Sequence, residues 1–182
     1  MNTEIFSTKQ EMGKAAAAHG ILKLQSALST KGSASFIVAT GASQFETLAE
    51  LAQADLPWNK MTGFHLDEYV GLPISHDASF RNYLWERFVS KLTRPLKAFH
   101  FLDGEGDVEN ECRRLSALIE ETTIDVAFVG IGEGGFALEQ DDRFSSRRIH
   151  RAPDLSRCIL PEVPLGTFRE QARASARGLS LS

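Results

Sequence analysis

Cysteine is nearly absent. Cys112 and Cys158 are the only two in 182 residues, which excludes a disulfide framework and a four-cysteine zinc site. Cys112 falls among helix-forming residues and reads as a buried thiol. No apolar run reaches the length of a membrane span, and the N-terminal MNTEIFSTKQEMGK lacks the apolar stretch of a secretory signal; the cytoplasm is the expected compartment. The five histidines (His19, His65, His76, His100 and His150) are scattered, with no H-x-x-x-H and no Cys at metal spacing. Each is therefore expected to be structural, and no metal site is expected. There is no G-x-S-x-G, so an α/β-hydrolase is not supported. Positive charge is not in excess either: the net charge of -4 gives no reason to expect nucleic acid or an anionic membrane as partner. Local groups can still bind an anionic substrate.

What is present suffices for one domain with a core, at 42 % hydrophobic and 24 % charged residues. Residues 7–30 read as a helix, with Ile21, Leu24 and Leu28 on one face. ASFIVAT (34–40) is a nearly continuous apolar run, as in a strand covered on both faces. Phe45, Leu48 and Ala52 recur at helical spacing. KMTGFHL (60–66) reads as a second strand. Asp77 can cap a helix in which Phe80, Leu84, Phe88 and Leu92 repeat every four residues. AFHFL (98–102) is a third strand. A helix opens at Asp107, with Val108, Cys112, Leu115 and Ile119 on its apolar face. IDVAFVG (124–130) is a fourth strand. Strands alternating with helices predict a parallel sheet with helices on both faces.

In such sheets, ligands bind beyond the carboxyl ends of the strands, and three segments fall there. In TGAS (40–43), Gly41 permits close backbone approach, Thr40 and Ser43 offer hydroxyls, and the helix that follows presents N–H groups to an anion. A plain turn is the competing reading. In GFHLDEYVGLP (63–73), Asp67 and Glu68 follow a strand directly. Adjacent strand residues point to opposite faces, so one acid can face a pocket while the other tethers a loop; a solvated turn is the alternative. VGIGEGGF (129–136) does not keep the spacing of a dinucleotide fingerprint and reads as a glycine-rich loop shaping a pocket.

Lysine then disappears. Residues 1–136 hold seven Lys and five Arg, whereas residues 137–182 hold eight Arg and no Lys. This stretch has Ser and Arg clusters and one helix candidate, TFREQARASARGL. On composition it is a solvated, partly helical tail, expected to pack poorly.

FHLDEYVGLPISHDASFRNYL, with ATGASQFETLAEL, AFHFLDGE, ECRRL and IDVAFVGIGE in order, resembles the glucosamine-6-phosphate deaminase/isomerase family of the 6-phosphogluconolactonase-like superfamily. The resemblance runs from about the first helix to Glu133. It implies an α/β, Rossmann-like three-layer sandwich with a mostly parallel sheet. It also implies conversion of glucosamine 6-phosphate and water to fructose 6-phosphate and ammonia, a small phosphorylated sugar as partner, no cofactor, and room for a homo-oligomer. Asp67 takes the position of the aspartate that moves a proton between carbons 1 and 2 of the open-chain sugar. Thr40, Gly41, Ala42 and Ser43 match the phosphate loop, although Ala42-Ser43-Gln44 stands where other members carry Gly-Thr-Pro. Glu68 and Tyr69 would be shell residues.

The pattern breaks at Gly134, Gly135 and Phe136. There the family carries an acidic or amide residue, a glycine and the histidine that opens the sugar ring. Asp141 is the carboxylate that an ungapped alignment would bring to a later acidic position. The expectation is therefore an α/β domain over residues 1–136 whose C-terminal part is missing, and a divergent tail over residues 137–182. That tail would come from a shifted reading frame or an aberrant splice. Turnover by this chain is expected to be impaired. A 6-phosphogluconolactonase-like hydrolase is the alternative, against which stands Tyr69, since those enzymes tend to place Arg after the acidic pair. A non-catalytic sugar-phosphate-binding module is the other.

Overall fold

The structure is a computed structural model, and it describes residues 3–130. Helix α1 spans Lys9–Lys31. Thr8 caps it by accepting from Glu11 N–H at 3.1 Å, and Glu11 reaches back to Ser7 N–H, a variant of the reciprocal capping box. Gly32, at φ 74°, stops it in a left-handed turn. The buried side of α1 is built from small residues, Gly13, Ala17, Gly20 and Ala27, with Leu24. A Cβ on Gly13 would strike the backbone of Glu46, and one on Gly20 the ring of Phe128. These glycines thus set how closely the helix approaches the rest of the domain.

Strands β1 (Ala34–Val38), β2 (Met61–His65), β3 (Ala98–His100) and β4 (Val126–Phe128) alternate with α2 (Phe45–Ala52), α3 (Phe80–Arg87) and α4 (Val108–Glu120). The sheet order is β3-β2-β1-β4 and every pairing is parallel. Side-chain alternation along β1 divides the interior in two. Ala34, Phe36 and Val38 join a core shared with α1, α2 and α3; Ile37 and Ala39 join a second core with Leu115 of α4. The result is a three-layer α/β arrangement. Cys112 is partly buried against that second core, and it is not the free thiol that the sequence suggested.

The four strands lie within the apolar runs read from the sequence, each somewhat shorter. Asp107 caps α4 as expected, accepting from Glu109 and Asn110 N–H. The third helix differs. Its cap is Ser79, not Asp77, and α3 ends at Arg87 rather than continuing through Leu92. Phe88 leaves helical geometry (φ -130°, ψ -68°) and a short 3₁₀ turn follows at Val89–Lys91. The break seats Phe88 edge-on against Phe36 (6.0 Å) and Trp58 (5.9 Å), a geometry that suits aromatic quadrupoles. The Gly-rich segment beyond Gly130, Phe136, Asp141 and the tail lie outside the described residues.

His65, at the end of β2, is fully buried. Its Nδ1 accepts from Leu102 N–H at 3.4 Å, and its Nε2 has no partner among the described residues. Burial, and secondarily the charge of Arg81, lowers its pKa to about 3. The native imidazole is therefore neutral, while the unfolded chain takes up a proton near pH 6.5. Between those values the unfolded state holds more protons, so stability rises with pH across the window. The contribution is complete above about pH 6.5 and is lost as the pH falls toward 3. The expected result is that His65→Asn, which keeps an acceptor near Nδ1, reduces the slope of unfolding free energy between pH 4 and 6 by up to about 1.4 kcal/mol per pH unit. Denaturant titrations at several pH values measure it, and an unchanged slope would refute the assignment.

Candidate functional site

The chain passes from β1 to β2 to β3 on one side of β1 and returns to place β4 on the other. The switch point, where the carboxyl ends of β1 and β4 open a crevice, is where ligands bind in open α/β sheets. TGAS lies there. The register pairs Val38 with His65, and the ladder continues one step, Leu66 N–H to Val38 C=O at 3.0 Å. Extended by two residues, that register would bring Thr40 and Asp67 level with each other at the ends of strands that run about 5 Å apart. On the other side of β1, Ala39 N–H bonds Phe128 C=O at 2.9 Å. A Cβ on Gly130 would strike Ser43 and approach Gln44 Nε2 at 2.8 Å. The ends of β1 and β4 thus meet at the 40–43 loop.

Gly41 is at φ 106°, ψ 167°, a conformation that L side chains rarely adopt. Ala42 opens a 3₁₀ turn over Ala42–Gln44 that runs into α2. Thr40, Gly41 and Ser43 are partly buried and Ala42 is exposed.

The two adjacent acids occupy different environments. Asp67 is partly exposed, and its charge helps to raise the pKa of Tyr69, behind the larger effect of burial. Glu68 is buried and its carboxylate is saturated. Oε1 accepts from Tyr69 N–H (2.9 Å) and Phe80 N–H (3.0 Å). Oε2 accepts from Ser79 Oγ (3.0 Å), Arg81 N–H (2.8 Å) and Arg81 Nε (3.3 Å). Glu68 thus joins Ser79 in capping α3, at the end where the helix dipole favours negative charge. It is a tether, and its lone pairs are committed. Tyr69 packs on Phe80 with ring centroids 4.8 Å apart.

Sequence reasoning missed Arg81. Its guanidinium is buried and spans three carboxylates: Glu68, Asp103 (Nη1, 2.7 Å) and Glu105 (Nη2, 2.7 Å), with Leu72 C=O at 3.0 Å. It therefore ties the Asp67 loop to the β3–α4 connection. Two backbone contacts support the tie. Gly71 N–H bonds Gly104 C=O at 2.6 Å, and a Cβ on Gly104 would collide with the Tyr69 carbonyl. One signal was available: an arginine in the first turn of a helix opposes the dipole and calls for a compensating partner. Tyr83 was also missed; its hydroxyl donates to Gly41 C=O at 3.2 Å. A groove of about 590 Å³ lined by Phe45, Ala49, Trp85 and Arg87 contains neither Asp67 nor any residue of the 40–43 loop.

Removing one partner of a buried ion pair leaves an uncompensated charge, at a cost of about 3–5 kcal/mol. Arg81→Met is expected to destabilise the domain by that order, because Glu68 stays buried. Asp103 is half exposed, so Asp103→Asn is expected to cost no more than about 1 kcal/mol. Urea unfolding of both variants measures the difference, and two equal small losses would show that Arg81 is not the tie described.

Three comparisons bear on this geometry. A glucosamine-6-phosphate deaminase of Bacillus cereus is 29 % identical over 136 residues, covering 74 % of this chain and 50 % of the relative. The chain thus spans about half the length of the curated relatives it matches. Among solved structures, a monomeric glucosamine-6-phosphate deaminase superposes with TM-score 0.60 at 25 % identity, covering 66 % of this chain and 51 % of that one. A 6-phosphogluconolactonase of Thermotoga maritima superposes with TM-score 0.60 at 24 % identity, covering 66 % and 56 %, and shares the fold. The family model of glucosamine-6-phosphate isomerases/6-phosphogluconolactonase matches residues 7–136, and the chain belongs to that family.

Proposed function

We propose that this chain binds an amino-sugar phosphate, with the 40–43 loop receiving the phosphoryl group and Asp67 serving as the acid–base group. The observation that carries this reading is the parallel exit of Thr40 and Asp67 from β1 and β2. An anion-accepting loop and a carboxylate a few ångströms apart suit a ligand with a phosphate at one end and reacting carbons at the other. The division between the two acids supports it. Glu68 is saturated by five donors, and the proposal gives proton transfer to Asp67. The relatives named as deaminases supply the reaction class: glucosamine 6-phosphate and water give fructose 6-phosphate and ammonia. Within it, Asp67 would take the proton from carbon 2 of the open-chain sugar and return it to carbon 1, general acid–base work for one carboxylate within reach of both.

Phe136 stands where the family's ring-opening histidine would be, and a phenyl ring carries no proton. Loss of a positioned acid–base group costs about 10²- to 10⁴-fold in rate. The expected outcome is measurable binding of glucosamine 6-phosphate by calorimetry, with ammonia release reduced by that order relative to the Bacillus cereus deaminase. Asp67→Asn should remove the residual turnover. Absence of binding would refute the proposal, and so would turnover that survives Asp67→Asn. Hydrolysis of 6-phosphogluconolactone in place of ammonia release would transfer the assignment to the lactonase branch.

A further inference from the structure

We infer that Tyr83 is a positioning residue for the phosphoryl-binding loop, acting through the Gly41–Ala42 peptide. This rests on the reading of that loop as the anion site. A trans peptide is planar, so its C=O and the next N–H point in opposite directions. Two donors converge on the Gly41 carbonyl oxygen: Tyr83 O–H at 3.2 Å and Gln44 N–H at 3.0 Å. Anchoring that oxygen aims the Ala42 N–H the other way. Gly41 itself, at φ 106° and without a Cβ, offers little resistance to rotation of this peptide, so the orientation depends on the donors that hold it.

Tyr83 is well placed to hold it. Its ring stacks on Phe45, the first residue of α2, with centroids 5.7 Å apart. The Arg87 guanidinium lies 4.3 Å from the Phe45 ring centroid and 5.6 Å from that of Tyr83. Burial raises the Tyr83 pKa, an effect that the Arg87 charge partly opposes. The hydroxyl therefore stays a donor throughout the neutral range. The same helix carries Arg81, two residues earlier, which holds the Asp67 loop. α3 thus fixes the separation between the loop that would take the phosphate and the carboxylate that would move the proton.

The test is Tyr83→Phe in the full 182-residue chain, which keeps the stacked ring and deletes one hydroxyl. Calorimetry with inorganic phosphate and with glucosamine 6-phosphate should show both affinities reduced by about 3- to 10-fold, the range of one net hydrogen bond. The phosphate-induced shift of the Ala42 amide resonance should shrink in parallel. A purely structural role would lower the unfolding midpoint and leave both binding readouts at wild-type values, and that result would overturn the inference. If the wild-type chain binds neither anion, the reading of the loop falls and the role of Tyr83 falls with it. Wild-type binding that Tyr83→Phe leaves unchanged removes only the role of Tyr83.

Discussion

The buried carboxylate of Glu68 is the constraint on which the arrangement at the carboxyl end of the sheet depends. A desolvated charge is tolerated only when its lone pairs are filled and a countercharge is near. Glu68 meets both conditions through one short segment, since its donors are the amides of Tyr69, Phe80 and Arg81, the Ser79 hydroxyl and the Arg81 guanidinium. The intervening residues 70–78 form a loop closed at both ends by the same side chain. Because the carboxylate cannot relax without exposing donors it has satisfied, the start of α3 is locked to the end of β2. Arg81 extends the lock to Asp103 and Glu105. These two acids are partly exposed, so they contribute direction more than stability.

The rest of α3 follows from this anchoring. A helix fixed at its first turn presents residues 81 and 83 at known positions, and they meet different loops. Arg81 reaches toward β3, and Tyr83 reaches across to the end of β1. Beyond that reach the helix breaks at Phe88, whose ring fills the aromatic cluster with Phe36 and Trp58. The helix is thus short because its two ends are held by unrelated requirements: a buried charge at one, aromatic packing at the other.

The sequence made some of this legible and hid the rest, for physical reasons. β1 and β2 could be read because both of their faces are largely buried, which demands continuous apolar runs such as ASFIV. Asp107 could be read as a cap because its partners, Glu109 and Asn110, are local. The start of α3 could not. Asp77 and Ser79 are both good capping residues, and what decides between them is Glu68, eleven residues before Ser79. The four-residue spacing through Leu92 suggested a continuous helix, but periodicity does not register that Phe88 gains more by leaving it. Tyr83 was invisible for a similar reason: its partner is a backbone carbonyl 42 positions away, and no side-chain pattern marks such a bond. The register of β1 on β2 was not readable from the sequence, whereas that both loops lie at the carboxyl ends of strands was readable from their order.

Two acids in succession at the end of a strand now have distinct physical reasons. β2 ends at His65, so the two acids leave the turn that follows the strand, and their surroundings differ. On one side is the first turn of α3, dense with N–H donors, which takes a carboxylate as its cap. On the other, Asp67 is partly exposed. A carboxylate that caps a helix is a poor base, because its lone pairs are filled and moving it costs the helix its start. A carboxylate meant for proton transfer needs the opposite: an accessible oxygen and a backbone that does not move when the proton does. Under the proposed function, placing the two next to each other lets the first supply the rigidity the second requires. Glu68 holds the turn that carries Asp67.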